Sequence, residues 1–317
     1  MKERSAMVEG ISTSMSDLSK GFDPEFIISK STKLSIKDIL AKICVGPPYF
    51  AFKEVYNYQD LLIAPIEPEQ GIGFEVDFMS SAEASRHMAI LGSCAISLDE
   101  DKKKYYLSTK AEFDSCYTRG DKYFITPPSD KKFYVVSKKI SISKSFAISQ
   151  NFLFCGKRLI FSFRVTYQVM VEKLFERVFS SFKSTTSYIE ESPYKIIPKL
   201  TIISIDKKTL TAEIPTVDKE LCAGHFDNHP MLPVGVSAYM VIDLIGELIR
   251  KIRGDREERF IIDQATMNVF LPLSIDGQAT VRVDLIKEEG DIAYFKWIVF
   301  KGDLKFNEMS ISFFKVL

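Results

Sequence analysis

Apolar and polar positions along the chain fall into two blocks that follow the same order. Residues 1–33 are rich in Ser, Lys and Gly and weakly periodic, the pattern of a poorly ordered arm or irregular cover. "SIKDILAKI" (Ser35–Ile43) predicts a short helix with Ser35 as its cap. The first block opens with strand-like text, "YFAFKEVYNYQDLLIAPI" and "QGIGFEVDF", and continues into "SSAEASRHMAILGSCAISL" (Ser80–Leu98). The small and apolar residues of that run predict a buried helix. Three long strand-like runs follow: "KYYLSTKAEF", "FYVVSKKISISKSFAISQNFLF" and "KRLIFSFRVTYQVM". Alternation in "KISISKSFAIS" is close to period two. A short helix, "VEKLFERVFSSF", closes the block, and polar "KSTTSYIEESPYKIIP" (Lys183–Pro198) reads as a connection.

The order then repeats. Strands in "KLTIISIDKKTLTAEIPT" lead to a helix, "SAYMVIDLIGELIRKI" (Ser237–Ile252), and to three more strand runs. Near the end of each block an apolar strand, a Gly turn (Gly156, Gly302) and a second apolar strand form a hairpin signal. This is an internal duplication. A single long apolar helix cannot be buried by loops; a curved antiparallel sheet wrapped around it is the economical solution. The expected fold is therefore α+β, a double hotdog of two antiparallel sheets, each around a central helix. Residues 45–190 and 191–317 form the two units, and residues 1–44 the arm and short helix.

Length permits two units of about 150 residues each. Zero formal net charge argues against nucleic-acid binding. Apolar runs such as "LLIAPI" and "MVIDLIGELI" are too short or too broken to span a bilayer. The N-terminal text lacks a signal-type apolar core. A soluble cytoplasmic protein is expected. Five dispersed cysteines without a C-x-x-C pair point to reduced, core-filling thiols and no zinc site. Cys222 has no nearby group placed to activate it as a nucleophile.

Chemistry concentrates in "LCAGHFDNHPMLPVGVSAYM" (Leu221–Met240), which holds two of the chain's three histidines. The run "GHFDNHPMLPVGV" resembles the active-site segment of the β-hydroxyacyl-acyl-carrier-protein dehydratases. Gly224, His225, Phe226, Pro230 and Pro233 match that family's pattern, while Gly235 and Val236 follow one residue late because Val234 intervenes. The family's acidic residue falls here at Tyr239 or Met240, with Asp243 one turn later. In the first block "EASRH" resembles the family's acid-bearing helix, with Glu83 at its start and His87 where Gln is usual.

The resemblance implies a composite site between the halves, with His225 as base and Glu83 as acid. It places Gly224, Phe226, Pro233, Val234, Gly235 and His87 against substrate. The implied reaction is dehydration, or the reverse hydration, of a β-hydroxyacyl thioester carried by acyl-carrier protein or CoA. It needs no metal or redox cofactor, and a homodimer of pseudo-dimers is the expected assembly. Two other activities fit the same parts: a hotdog acyl thioesterase, and an inactive double hotdog that binds acyl chains or serves in assembly. Structural readings stand beside the catalytic ones. Ser80 and Glu83 form an S-x-x-E capping box, and Glu83 and His87 are spaced to pair along one helix face. His229 reads as a solvated loop residue. The lysines of "DKKKYY" and "SDKKF" read as solvated turns that could help dock an acidic carrier protein.

Overall fold

The alternating runs become strands and the two continuous apolar runs become helices, as their periods require. The computed structural model describes residues 21–76, 79–116, 132–185, 191–226, 228–254, 259–276 and 279–316. Most of the expected arm, the tip of "SDKKF" and the middle of the polar connection lie outside these residues.

Two short helices, α1 (Pro24–Ile28) and α2 (Ile36–Leu40), precede the first unit. Ser35 caps α2, its hydroxyl accepting from the Asp38 N–H at 3.3 Å. Strand β1 (Thr32–Lys33) lies between them, and β2 (Tyr56–Tyr58), β3 (Leu61–Ile66), β4 (Lys104–Ser115), β5 (Phe133–Ile142), β6 (Phe146–Cys155) and β7 (Arg158–Val171) follow. Helix α3 (Ser81–Ser97) lies between β3 and β4, and α4 (Glu172–Val178) follows β7. The second unit contributes β8 (Thr201–Ile205), β9 (Thr209–Ile214), β10 (Met231–Leu232) and α5 (Val234–Ile252). It ends with β11 (Arg259–Val269), β12 (Leu273–Ser274), β13 (Ala279–Glu289), β14 (Ile292–Lys301) and β15 (Leu304–Val316).

Every pairing between these strands is antiparallel. Within the first unit the spatial order is β3-β5-β6-β7-β4, and within the second β9-β13-β14-β15-β11. The helix precedes the equivalent strands, β4 and β11, in each. The β6–β7 and β14–β15 hairpins turn at Gly156 and Gly302, which take φ of +58° and +55°.

The expectation of two separate sheets needs correction. β4 and β11 would each be an open edge, with a row of unpaired N–H and C=O groups. They pair with each other, Lys110–Asp114 against Gln264–Asn268, so the halves share one 13-stranded sheet. Helix α3 packs on β3, β5 and β6, α5 packs on β9 and β13, and the two helices pack on each other. Their contact is close because position 235 has no side chain: a Cβ there would lie 3.1 Å from Arg86 Cβ. Only Ser85 and Ala89 of α3 are not buried. No helix among the described residues is long and apolar enough to cross a membrane.

Candidate active site

The His225 loop is shaped by its glycine. Gly224 has φ +75°, and a Cβ there would sit 2.1 Å from the Gly46 carbonyl oxygen. Its absence lets residues 45–46 pair with 224–225: the Gly46 N–H donates to Gly224 O at 2.8 Å, and Val45 bridges His225. Phe226 follows with φ +60°. β10 then pairs with β12, and Pro233 stands at the N-cap of α5. The helix begins at Val234, three residues earlier than its apolar text predicts. The additional residue Val234 is thus its first turn. The Val236 and Ser237 N–H groups both donate to Pro233 O at 3.0 Å. Those of Val234 and Gly235 have no acceptor within the helix, as its geometry dictates.

Beside this turn lies a cavity of about 460 Å³, walled by both halves. Ser81, Ser85, Arg86 and Ala89 of α3 line it, with His225, Phe226, Val234 and Gly235 of the second unit. Apolar residues of β4 and β11, among them Phe113 and Met267, complete the wall. Val178, Phe270 and Leu271 also line it and are well exposed.

His225 Nδ1 lies 3.1 Å from Met231 O. A carbonyl oxygen only accepts, so Nδ1 carries the proton and Nε2 is left with its lone pair. Burial pushes the imidazole down to about 4, against a weaker opposing effect of the Met231 carbonyl. The ring is therefore neutral near pH 7. Tyr49 and Phe226 flank it at 4.8 and 4.2 Å between centroids. Cys222 is buried, its thiol pushed up to about 12 by desolvation, which keeps it inert.

Glu83 takes a different place from the one its motif implies. It is fully buried and is not among the cavity-lining residues. Its carboxylate accepts the Glu69 N–H at 2.7 Å and the Gln70 N–H at 3.2 Å. Half of the expected capping box is present: the Ser80 hydroxyl accepts the Glu83 N–H at 3.1 Å. His87 Nε2 lies 3.5 Å from Glu83 Oε1, the expected pair. Burial, and then the adjacent Arg86, hold His87 below its ordinary range. Tyr239, at the family's acid position, donates its hydroxyl to Gly71 O at 3.0 Å, fastening the same 69–71 segment over α5.

Arg86 carries a buried charge beside the cavity. Its side chain is 1% exposed, with Nη2 paired to Glu69 and 4.0 Å from Glu83 Oε1. The guanidinium lies over the rings of Tyr194 at 5.0 Å and Tyr49 at 5.6 Å. Tyr194, from the polar connection, is fully buried and donates to Ala223 O at 2.6 Å.

The cavity thus brings together His225, Phe226, Val234 and Gly235. Gly224, Pro233 and His87 shape or support its surroundings, and Glu83 anchors a loop beside it. His229 corrects the expectation of a solvated residue: it is 2% exposed, edge-on to Phe175 at 5.1 Å. Sequence reasoning missed Arg86, Tyr49 and Tyr194. Arg86 had one signal, a permanent charge within a helix of small and apolar residues that predicts burial on all sides. Among the described residues no group of His, Cys, Asp and Glu could hold a metal ion.

No family model matches the sequence, and no curated protein matches it. Solved structures share its fold. A Mycobacterium avium subsp. paratuberculosis tesB protein aligns at TM-score 0.55 and 10% identity, over 89% of this chain and 100% of its own. The 12:0-ACP thioesterase from Umbellularia californica aligns at 0.52 and 7%, over 86% and 100%. A protein with a hot dog fold from Alicyclobacillus acidocaldarius aligns at 0.52 and 8%, over 86% and 99%. The chain therefore has the hotdog fold. The expected lyase class is corrected here: of these three fold neighbours one is named a thioesterase and none a dehydratase. The Glu83 carboxylate, expected as the acid, accepts the backbone N–H groups of residues 69 and 70.

Proposed function

We propose that the chain hydrolyses an acyl thioester of CoA or acyl-carrier protein in the cavity between its central helices. The observation that carries this reading is His225, held by Met231 O as the tautomer with Nε2 free, on the cavity wall beside the first turn of α5. A fold neighbour named as a 12:0-ACP thioesterase supports it. The repeated strand order supports two hotdog units at 45–190 and 191–317, with β1 (Thr32–Lys33) of the expected 1–44 arm joining their sheet.

The acyl chain lies along the apolar wall, with its thioester at the His225 end. His225 Nε2 takes a proton from water as the water oxygen attacks the carbonyl carbon. The carbonyl oxygen gains negative charge, which the positive end of α5 at Val234–Gly235 stabilises. Collapse breaks the C–S bond, and the imidazolium returns its proton to the leaving thiolate. The products are a carboxylic acid and a thiol.

One observation favours a second reading, an acyl-binding protein without turnover. Only a backbone carbonyl orients His225, and its lowered basicity weakens proton abstraction. Thiol release from acyl-CoA and acyl-carrier-protein series of increasing chain length separates the two. Under the hydrolase reading the wild type releases thiol and His225→Ala loses about 10² or more of the rate, the usual scale for a general base. Tight acyl binding with no thiol release would move the case to the second reading.

A further inference from the structure

The cavity has an open end and a closed end. Val178, Phe270 and Leu271 stand on its wall and are exposed, so they mark the open end. His225 lies near this rim on two counts. Phe226, beside it, packs edge-on to Phe175 of α4 at 5.2 Å between centroids, and α4 ends at Val178. Met231, whose carbonyl holds the imidazole, is followed by Leu232, which pairs with Leu273, two residues past Leu271.

From the rim the wall runs inward in rungs, because alternate residues of β4, β11 and β15 share one face. Behind Phe270 comes Val269, then the rung Ala111–Met267–Met309, then Phe113–Ala265–Ile311, all on the wall. Ala265 is only partly buried between buried Phe113 and Ile311, so open space reaches this rung. Among the described residues the wall stops just beyond it. Phe113 and its partner Phe163 belong to the wall, whereas Ser115 and Phe161, the next pair on that face, do not. Phe161 packs on Phe113 at 4.7 Å between centroids. On β11 the last wall residue is Ile262, and its partner Phe313 is off the wall. The helix agrees: Ser85, Ala89 and Ser93 follow at four-residue steps along one face, and no later residue of α3 lines the cavity. The Ser93 hydroxyl already donates to Ile90 O at 2.7 Å, so the closed end offers a chain terminus an apolar floor.

The depth follows from the geometry of the elements. Along β11, Val269 and Ala265 are about 14 Å apart at ~3.4 Å per residue. Gly235, in the turn beside His225, packs on Ala82 and Arg86. From those two residues to Ser93 the helix rises about 10–16 Å. An extended chain advances about 1.2 Å per bond, so this depth takes about ten to twelve carbons. We infer that the cavity selects acyl groups by length, taking a medium chain whose methyl end stops against Phe113, Phe163 and Ser93. Resting on the thioesterase reading, this names the substrate class and makes the closed end its specificity determinant.

The test is calorimetric titration with S-alkyl pantetheine thioethers, which carry the arm common to CoA and acyl-carrier protein and cannot be hydrolysed. Octyl, decyl, dodecyl, tetradecyl and hexadecyl chains, each below its aggregation limit, are titrated into wild type, Ser93→Leu and Phe113→Ala. In wild type each methylene added between octyl and decyl should tighten binding about threefold or more, the scale of a CH2 leaving water. Tetradecyl and hexadecyl should bind no tighter than dodecyl. Ser93→Leu fills the closed end and should weaken dodecyl about tenfold or more, the loss of two or three buried methylenes. Phe113→Ala opens it, and tetradecyl should then bind about threefold or more tighter than dodecyl. Octyl affinity within about threefold of wild type shows that a variant is folded. An affinity that keeps rising through hexadecyl, no binding of any thioether by wild type, or a length limit unmoved in a folded variant overturns the inference. Should neither variant fold, the wild-type series decides by itself. A length limit without thiol release from acyl thioesters sinks the thioesterase reading alone; thiol release with affinity rising evenly through hexadecyl sinks this one alone.

Discussion

All three histidines are held below their ordinary range, and desolvation is the first cause for each. The unfolded chain therefore takes up protons near pH 6.5 that the folded chain refuses. The histidines' contribution to stability should be flat between about pH 6.5 and 8 and should fall as pH drops from 6.5 towards 4, where His225 itself protonates. Urea midpoints measured across that window should show the fall, and His225→Gln should make it shallower. An unchanged slope in the variant would mean that His225 is not desolvated. Hydrolysis, measured where the protein is folded, should show no acid limb near pH 6.5. Glu83 invites the opposite experiment. Glu83→Gln removes a buried carboxylate that holds two backbone N–H groups. It should cost about 1–3 kcal/mol of stability, read as a lower melting temperature, while thiol release stays within about threefold. Collapse of turnover at an unchanged melting temperature would return Glu83 to the reacting atoms. At this scale the sequence was informative about type and less so about direction. "GHF" followed by two prolines marked His225 and its helix. "EASRH" placed three ionisable side chains within two turns without saying what each would meet, since α3 is enclosed on nearly every side.

At the scale of elements, the site depends on two close backbone approaches made possible by glycine. Gly235 lets α5 cross α3 against the Arg86 stem, so any larger residue presses on that arginine. Gly224 lets the His225 loop lie on residues 45–46, and there both conformation and space exclude a side chain. Gly156 is the control: it has φ +58°, yet a Cβ there would meet nothing within 4 Å. Gly156→Ala should cost only the left-handed strain, about 1 kcal/mol. Gly224→Ala should cost more than the 1–3 kcal/mol typical of strain alone, because the Gly46 carbonyl must also move. Thermal melts of the two variants should be clearly separated, and equal losses would show that the loop simply shifts. Strand and helix order were legible because period two and continuous apolar runs are local signals. The start of α5 was not: Pro233 caps it without a side-chain bond, so no polar cap residue marks the boundary.

At the scale of the whole molecule, the duplication was visible in the text but the junction was not. β4 and β11 read as ordinary alternating strands, and nothing local says that their free edges face each other. That pairing, with the α3–α5 contact, turns two units into one sheet and encloses the cavity between them. It also has a mechanical consequence. The halves share a ladder of five residue pairs and a helix crossing, so separating them exposes a sheet edge and the apolar cavity wall together. They should therefore unfold together. The chain's single tryptophan, Trp297, lies buried in β14 and reports on the second unit alone. Far-ultraviolet circular dichroism reports strands of both. In a urea titration the two signals should trace one transition with a common midpoint. A tryptophan midpoint displaced from that of the strands, or a circular-dichroism curve in two steps, would show that the units are stable alone. The β4–β11 seam would then be a contact between finished domains, and the cavity could open along it without unfolding either half.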